Sequence, residues 1–417
     1  MKPIDNIYFL ITIAVISIGP LLRVAGAILF LIYLGFVIFY CFRVSCWYQI
    51  KSLSFFTCMG LLYIILSYLD VLPDAWTRYY NSTVIPRQSY YVLSIYPLIM
   101  ASCSFWKKTI KSGQLAKYCW ISLFFLLTIS PIMHIYYNTG VFFGKHKGSI
   151  LFTGLMNPCI FLFFSISYLT MVHYRKKAKF ILPLIVTIGL IDAGNFQTKI
   201  ILVLLPILTF FSIKKIGLKF VFPLALILSL FATMSISKLV ELDPNVTHRT
   251  LMWLDAAEGL IDTRGIGIGF GKEVVTGFYY ELNLDRRPKY SPDDIMYEGI
   301  HNSFFSIFFR QGVLGGAAFI IFFVVYCFPR IPLRSLYFRH ASFVFIVALL
   351  SAFVNVGIES PMAILGIVQC LGYIIAHNHI YSKAGIASRA KRENMAWIDA
   401  NGSKISMLPK YHSFKKI

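Results

Sequence analysis

The chain has few charged residues, and few acidic ones in particular. Only 14% of its 417 residues are Asp, Glu, Lys or Arg, whereas 58% are hydrophobic and the mean hydropathy is +0.70. Soluble domains typically carry about 25% charged residues. The composition therefore excludes an ordinary water-soluble protein and favours one that is embedded in a lipid bilayer.

Cysteine is absent from the most polar part of the chain. The eight cysteines lie in apolar runs or in the basic connectors between them, and the stretch 238–302 contains none. No pair has the CxxC spacing of a zinc or redox site. The sequence therefore predicts neither a disulfide framework nor a metal site.

Long apolar runs dominate the chain instead. A helix needs about 20 apolar residues to cross a bilayer, and lipid offers the backbone no hydrogen-bond partner outside its own helix or a closed barrel. The runs predict an all-α polytopic membrane protein with about 12 transmembrane helices and one large outer loop. The expected spans lie near 7–22, 25–42, 53–70, 89–105, 119–137, 151–172, 180–194, 200–213, 220–237, 303–328, 341–358 and 361–380.

Basic residues set the expected orientation. With the N-terminus inside, 25 of the 39 Lys and Arg residues fall in inner loops or near the two termini. Positive charge near span ends favours the cytoplasmic side, so both termini are predicted to be cytoplasmic. The net charge of +21 suits anionic membrane lipids. The sequence has no basic stripe interleaved with exposed aromatic residues, so it does not predict nucleic-acid binding.

The loop 238–302 differs from the rest because it holds 11 of the 18 acidic residues. The predicted organisation is spans one to nine (1–237), this loop with amphipathic helices (238–302), spans ten to twelve (303–380) and a cytoplasmic tail (381–417). Inside the loop, an apolar stripe predicts a helix on the membrane surface that ends at Asp262: Leu251, Leu254, Ala257 and Ile261. Residues 272–299 are expected to form a loop with one short helix at most.

A run of glycines at 265, 267, 269 and 271 follows this helix. Glycine accepts positive φ and lets a ligand approach the backbone closely. Because no parallel strand or βαβ unit precedes the run, a dinucleotide-binding fingerprint is not predicted. The run is expected to be either a flexible turn between two surface helices or a segment that contacts a ligand.

Several short motifs follow one another along this region: Arg249-x3-Trp253, the alternating glycines, His301-Asn302-Ser303, Gly312-x2-Gly315 and Glu359-Ser360-Pro361. In this order they resemble the O-antigen polymerase and O-antigen ligase superfamily over about 130 residues, from 245 to 375. Members of that superfamily are bacterial inner-membrane proteins with many spans and one large, late periplasmic loop.

The resemblance implies a glycosyltransferase that polymerises undecaprenyl-diphosphate-linked oligosaccharide repeat units into O-antigen, capsule or exopolysaccharide at the periplasmic face. It implies no cofactor, nucleotide or metal, and it implies flippase and chain-length regulator proteins as partners. An O-antigen ligase, which transfers polymer to lipid A–core, shares the loop architecture and stays open. A polysaccharide transporter or flippase is the alternative from another class.

Cationic side chains are the expected ligands of the diphosphate, because the leaving group gains negative charge as its bond to the sugar breaks. Arginine suits phosphate through its planar, permanently charged fork, and Arg249 and Arg310 are predicted to be catalytic. Headgroup snorkelling is the simpler explanation of Arg249. Arg310 lies inside an apolar span, where a charge is costly unless it has a function or a partner.

His301 is the predicted base for the acceptor hydroxyl, since imidazole takes up a proton near neutral pH. The resemblance also implies an essential histidine on this loop. A boundary histidine that meets headgroups or caps a helix is the plainer interpretation. Asn302 and Ser303 are expected to cap the tenth span.

The remaining candidates are substrate contacts. Lys199 stands where the superfamily commonly has arginine, and an ion pair between Asp192 and Lys199 is its alternative. Glu359 is predicted either to orient His301 or Arg310 or to mark an outer turn. The full set of predicted substrate contacts is Trp253, Gly267, Gly269, Lys199, Arg264, Arg286, Arg287 and Glu359.

Overall fold

The computed structural model of the chain describes residues 2–18, 23–45, 50–73, 77–80, 82–115, 117–122, 124–125, 162–163, 253–254, 256–274, 300, 302–328, 344–345, 347–349, 352 and 363–382. These residues are mostly helical, as the apolar runs predict. A two-stranded ribbon is an addition that the sequence analysis did not foresee.

The long helices coincide with predicted spans. They are α1 (Pro3–Ile18), α2 (Arg23–Val44), α3 (Lys51–Tyr68), α4 (Ile85–Lys111), α5 (Ser303–Phe322) and α6 (Ala363–Ser382), and α5 continues into a π-helical turn at Phe323–Cys327. Within the described residues, two helices are long and apolar enough to cross a membrane, Lys51–Tyr68 and Ser303–Cys327. Spans six to nine lie almost entirely outside the described residues.

The helices pack into one apolar core, with α6 against α4 and α5 against α3. One buried polar side chain links three of these helices. Gln369 of α6 accepts hydrogen bonds from Ser102 Oγ and Trp106 Nε1 of α4, both at 3.1 Å, and donates to Tyr8 OH of α1 at 3.3 Å. These bonds fix the relative positions of three helices, because a buried polar group without a partner is costly.

The helices also carry large apolar side chains on the outside of the bundle. Leu31 and Phe42 of α2, Ile65 of α3 and Leu314 of α5 each have about 60% of their surface exposed. In water, an apolar exterior of this kind would favour aggregation, whereas hydrocarbon chains tolerate it. The exterior therefore matches the lipid-facing surface that the composition predicts.

The two ends of the helical bundle differ in the residues that lie there. At the Asp5 end, α1 begins and α4 ends, and Asp5 meets Lys108. At the glycine end, α3 ends, α4 and α5 begin, and the glycine segment (residues 265–271) lies between them. There β1 (Thr77–Tyr80) pairs antiparallel with β2 (Lys272–Val274), so the connector from α3 to α4 is joined to the end of the glycine segment.

The strand β2 corrects one expectation. Residues 272–299 were expected to be loop with one short helix at most, yet residues 272–274 pair with a strand almost 200 positions earlier. The register of the pair is Thr77 with Val274 and Tyr80 with Lys272, with one irregularity between them. A three-residue strand whose partner is so distant leaves no periodic signal in the sequence.

Candidate functional site

The site is built around a break in α5. Gly312 adopts φ 66° and ψ −173°, which interrupts the helix within an apolar span. A residue with a Cβ strongly disfavours this conformation, and a Cβ at Gly312 would overlap the backbone of Ile266. The break frees backbone groups that an unbroken helix would have paired, and a membrane offers them no water.

The glycine segment satisfies those freed groups. Ile268 N donates to Phe309 O and Gly269 N donates to Arg310 O, both at 2.9 Å. In the opposite direction, Val313 N donates to Gly265 O at 2.8 Å. The two backbones approach so closely that a Cβ at Gly267 would lie 2.5 Å from Gly312 N. The alternating glycines therefore have a packing reason, with positive φ at all four positions.

Side chains from α3 and α4 hold the rest of the glycine segment. Phe270 N donates to Ser67 Oγ at 2.7 Å, and Tyr63 OH donates to Ile266 O. Gly271 N donates to Gln88 Oε1 at 2.7 Å. Residues 267–271 are all buried. The expectation of a flexible turn between two surface helices is wrong, because residues 267–271 are buried, the segment is hydrogen-bonded along its length and a strand follows it.

Arg310 lies where α4, α5 and the glycine segment meet. Its Nη1 donates to Gln88 Oε1 at 2.8 Å and to the carbonyl oxygens of Gly269 and Lys272, both at 3.3 Å. The side chain is half-buried in the second turn of α5. All three oxygens are uncharged, so they orient the guanidinium while its positive charge is retained.

A second cation, Lys272, stabilises the same end from the opposite side. Its Nζ donates to Leu72 O at 2.7 Å and lies 3.8 Å from Asp70 Oδ1, and its side chain is almost fully buried. Lys272 thereby ties the start of β2 to the connector that follows α3. The described contacts of this lysine are those of a structural anchor.

Two predicted substrate contacts precede the glycine segment: Trp253 lies in a helical stretch and Arg264 follows that stretch. Residues 256–262 are helical, as predicted, and exposed Arg264 follows in a turn with φ 52°. Trp253 stacks on Phe305 of α5, with ring centroids 6.0 Å apart, so its ring has a packing role. Sugar stacking by Trp253 and diphosphate contact by Arg264 stay predictions.

Two members of the predicted apolar stripe of that helix, Leu254 and Ile261, face away from the protein. Leu254 is 60% exposed and Ile261 is 75% exposed, whereas the buried face consists of Ala256, Gly259 and Thr263. An apolar stripe on the outside of a helix suits the boundary between headgroups and acyl chains. Its placement agrees with a helix that lies along a membrane surface.

Asn302 caps α5, as the sequence predicts. Its Oδ1 accepts hydrogen bonds from Phe304 N at 2.9 Å and Phe305 N at 3.2 Å. This cap fixes the first turn of the helix that carries Arg310 seven positions later. His301, the predicted base, precedes the cap and lies outside the described residues, as do Arg249, Lys199, Arg286, Arg287 and Glu359.

Sequence reasoning missed Gln88, Ser67 and Tyr63. Each is a polar residue in or near an apolar run, and each bonds to a segment about 200 positions away. The only available signal was a polar side chain close to the end of a predicted span. No protein-family model, curated protein or solved structure matches the chain.

Proposed function

We propose that the protein is a multi-pass enzyme of the bacterial inner membrane with about 12 transmembrane helices and cytoplasmic termini. In this proposal, the glycine end faces the periplasm. The enzyme joins oligosaccharide repeat units carried on undecaprenyl diphosphate into an O-antigen, capsule or exopolysaccharide chain. One lipid-linked saccharide supplies the anomeric carbon, and another supplies the hydroxyl.

The observation that carries the proposal is the placement of Arg310. An arginine inside an apolar helix is costly, so its retention calls for a role. Here the guanidinium is half-buried and oriented by neutral oxygens at one end of the bundle. A fixed cation at that depth suits a diphosphate that is anchored in the membrane by its own lipid tail.

The proposed reaction consists of three events, and the protein assists the last two. The new glycosidic bond forms between the acceptor oxygen and the anomeric carbon as the bond from that carbon to the diphosphate breaks. The acceptor proton passes to a base, for which His301 is proposed. Undecaprenyl diphosphate leaves with the electron pair, and Arg310 and Arg249 are proposed to stabilise its growing negative charge.

A gene deletion separates the proposal from its alternatives. If the protein is the polymerase, the deletion strain still caps its lipid A–core, but with a single repeat unit. Complete loss of capping with accumulation of lipid-linked polymer would indicate a ligase. Repeat units retained on the inner leaflet would indicate a transporter and would overturn the enzymatic proposal.

Arg310 provides the direct test. We expect Arg310→Ala to lower chain extension by about 100-fold or more, and Arg310→Lys to restore only part of it because lysine lacks the fork. The measurement is polymer length after expression in the deletion strain, normalised to membrane-inserted protein. Arg87→Ala is the matched control, since Arg87 is an exposed arginine beside Gln88 at the same end. Wild-type extension by Arg310→Ala would remove Arg310 from the reaction.

A further inference from the structure

A single atom of the Gln88 side chain contacts both the glycine segment and Arg310. Its Oε1 accepts from Gly271 N at 2.7 Å and from Arg310 Nη1 at 2.8 Å. Its Nε2 donates to Lys272 O at 3.3 Å, and that carbonyl also accepts from Arg310 Nη1 at 3.3 Å. The carboxamide therefore closes a ring of hydrogen bonds that passes through Arg310 Nη1 and Lys272 O.

The position of Gln88 suits this arrangement. It lies in the first turn of α4, and its side chain is half-buried, like that of Arg310. Pro86 occupies the first turn as well, where proline is preorganised for a helix start. The backbone that carries Gln88 is therefore well fixed, and its carboxamide is presented to α5 from a rigid element.

The chemistry of the side chain matters as much as its position. A carboxamide both accepts and donates hydrogen bonds and carries no charge. Glutamate would accept the same two bonds from Gly271 and Arg310, but it would form an ion pair with the guanidinium. An arginine so paired would attract a second anion more weakly, because the carboxylate offsets its field.

We propose that Gln88 is a positioning residue that aims Arg310 at the diphosphate of the lipid-linked substrate and keeps the site cationic. This inference rests on the proposed function. It adds that neutrality at position 88 is required for binding the anion, whereas the two accepted hydrogen bonds are required for holding the fold. Different substitutions of Gln88 test the requirement for neutrality and the requirement for the hydrogen bonds separately.

The decisive variant is Gln88→Glu, because it keeps both accepted hydrogen bonds, loses only the 3.3 Å bond that Nε2 donates to Lys272 O, and adds a negative charge beside Arg310. We expect the apparent Kd for undecaprenyl diphosphate, and the KM for the lipid-linked repeat unit, to rise by about tenfold. The thermal midpoint should stay close to that of the wild type, because the new ion pair with Arg310 offsets the hydrogen bond lost to Lys272 O. Both are measured on full-length protein reconstituted in nanodiscs.

Two further variants complete the experiment. Gln88→Met removes the hydrogen bonds without adding charge, so it should lower the thermal midpoint and lower kcat because Arg310 loses its orientation. Gln114→Glu is the matched control: Gln114 follows α4 at the Asp5 end and is half-buried to a similar degree. It should leave both Kd and KM unchanged.

The outcomes distinguish failure of this inference from failure of the proposed function. If the wild type extends chains and Gln88→Glu keeps its Kd and KM, Gln88 is only structural and the inference is wrong. If reconstituted wild type neither binds undecaprenyl diphosphate nor extends chains, the proposed function is wrong. A rise in Kd for Gln114→Glu as large as that for Gln88→Glu would show a general effect of charge and would also overturn the inference.

Discussion

Lys108 at the Asp5 end of the helical bundle and Arg310 at the glycine end are held in different ways. At the Asp5 end, Lys108 Nζ lies 2.6 Å from Asp5 Oδ1, and the same carboxylate oxygen accepts a hydrogen bond from Tyr40 OH at 2.7 Å. At the glycine end, Arg310 Nη1 is held by the carboxamide oxygen of Gln88 and by the backbone carbonyl of Gly269.

The difference indicates separate purposes. A lysine paired with a buried carboxylate forms a nearly neutral unit, which joins α1 to α4. A guanidinium held by dipoles is equally well oriented, and these neutral acceptors do not themselves offset its charge. The Lys108–Asp5 pair therefore serves as a structural lock, as the Lys272–Asp70 pair does at the glycine end, whereas the described acceptors of Arg310 are neutral.

The largest expected effect comes from breaking the glycine end at Gly312. Gly312→Ala places a Cβ at φ 66° and against Ile266 O, so we expect a loss of about 3 kcal/mol or more in the free energy of unfolding. Polymer extension should fail as well, since the glycine segment can no longer dock on α5. Heating followed by size-exclusion chromatography of solubilised protein measures the loss.

Gly35→Ala is the matched control for this substitution. Gly35 lies inside α2, and a Cβ there would meet nothing within 4 Å. Alanine in a helix interior is more stable than glycine by about 0.5–1 kcal/mol. Gly35→Ala should therefore stabilise the protein, and a Gly312→Ala variant of wild-type stability would contradict the close packing described for the glycine end.

The sequence predicts the helices of the described residues well, because each apolar run is a local signal. The second span was expected at 25–42 and α2 covers Arg23–Val44; the third was expected at 53–70 and α3 covers Lys51–Tyr68. The fourth helix begins at Ile85, four residues before the expected start of the span at 89. The expected boundary came later because the first turn of the helix is polar, and this turn contributes Gln88 to the glycine end.

The candidate site is less predictable, because its contacts join distant parts of the chain. Gln88 bonds to residues 183 and 222 positions away, and such pairing leaves no period or motif to detect. The glycines were visible, but a backbone that needs positive φ for packing and one that needs it for a ligand have the same composition. Arg310 was found because a charge in an apolar run is conspicuous.

Breaking the Asp5 end should have a smaller effect than breaking the glycine end at Gly312. Asp5→Asn removes the carboxylate from Lys108 and Tyr40, and we expect a loss of about 1–3 kcal/mol at neutral pH because Lys108 stays partly solvated. Polymer length per inserted protein should be unchanged, since the change lies at the opposite end from Arg310. Shortened polymer in Asp5→Asn would contradict the separation of the two ends.

The pH dependence of the Asp5 end has a defined sign. Asp5 precedes the expected span 7–22; its burial acts to raise its pKa, but hydrogen bonds from Lys108 and Tyr40 outweigh burial and hold the pKa below its ordinary value. A carboxyl with a lowered pKa in the folded state stabilises the fold above its unfolded pKa of about 3.9. That contribution is lost as the pH falls through the folded pKa, so wild type and Asp5→Asn should converge in stability under acid.

The smallest expected effect comes from removing the cap at the start of α5. Asn302→Ala removes the oxygen that accepts from Phe304 N and Phe305 N, so the first turn of the helix should fray at a cost of about 1 kcal/mol. Asn302→Ser differs from the alanine variant by one hydroxyl, which can serve as a cap again. We expect serine to restore both the thermal midpoint and the polymer length. Suppose instead that Asn302→Ser restored the thermal midpoint but not the polymer length. The cap would then be intact without full activity, and the Asn302 carboxamide would have a role beyond capping α5.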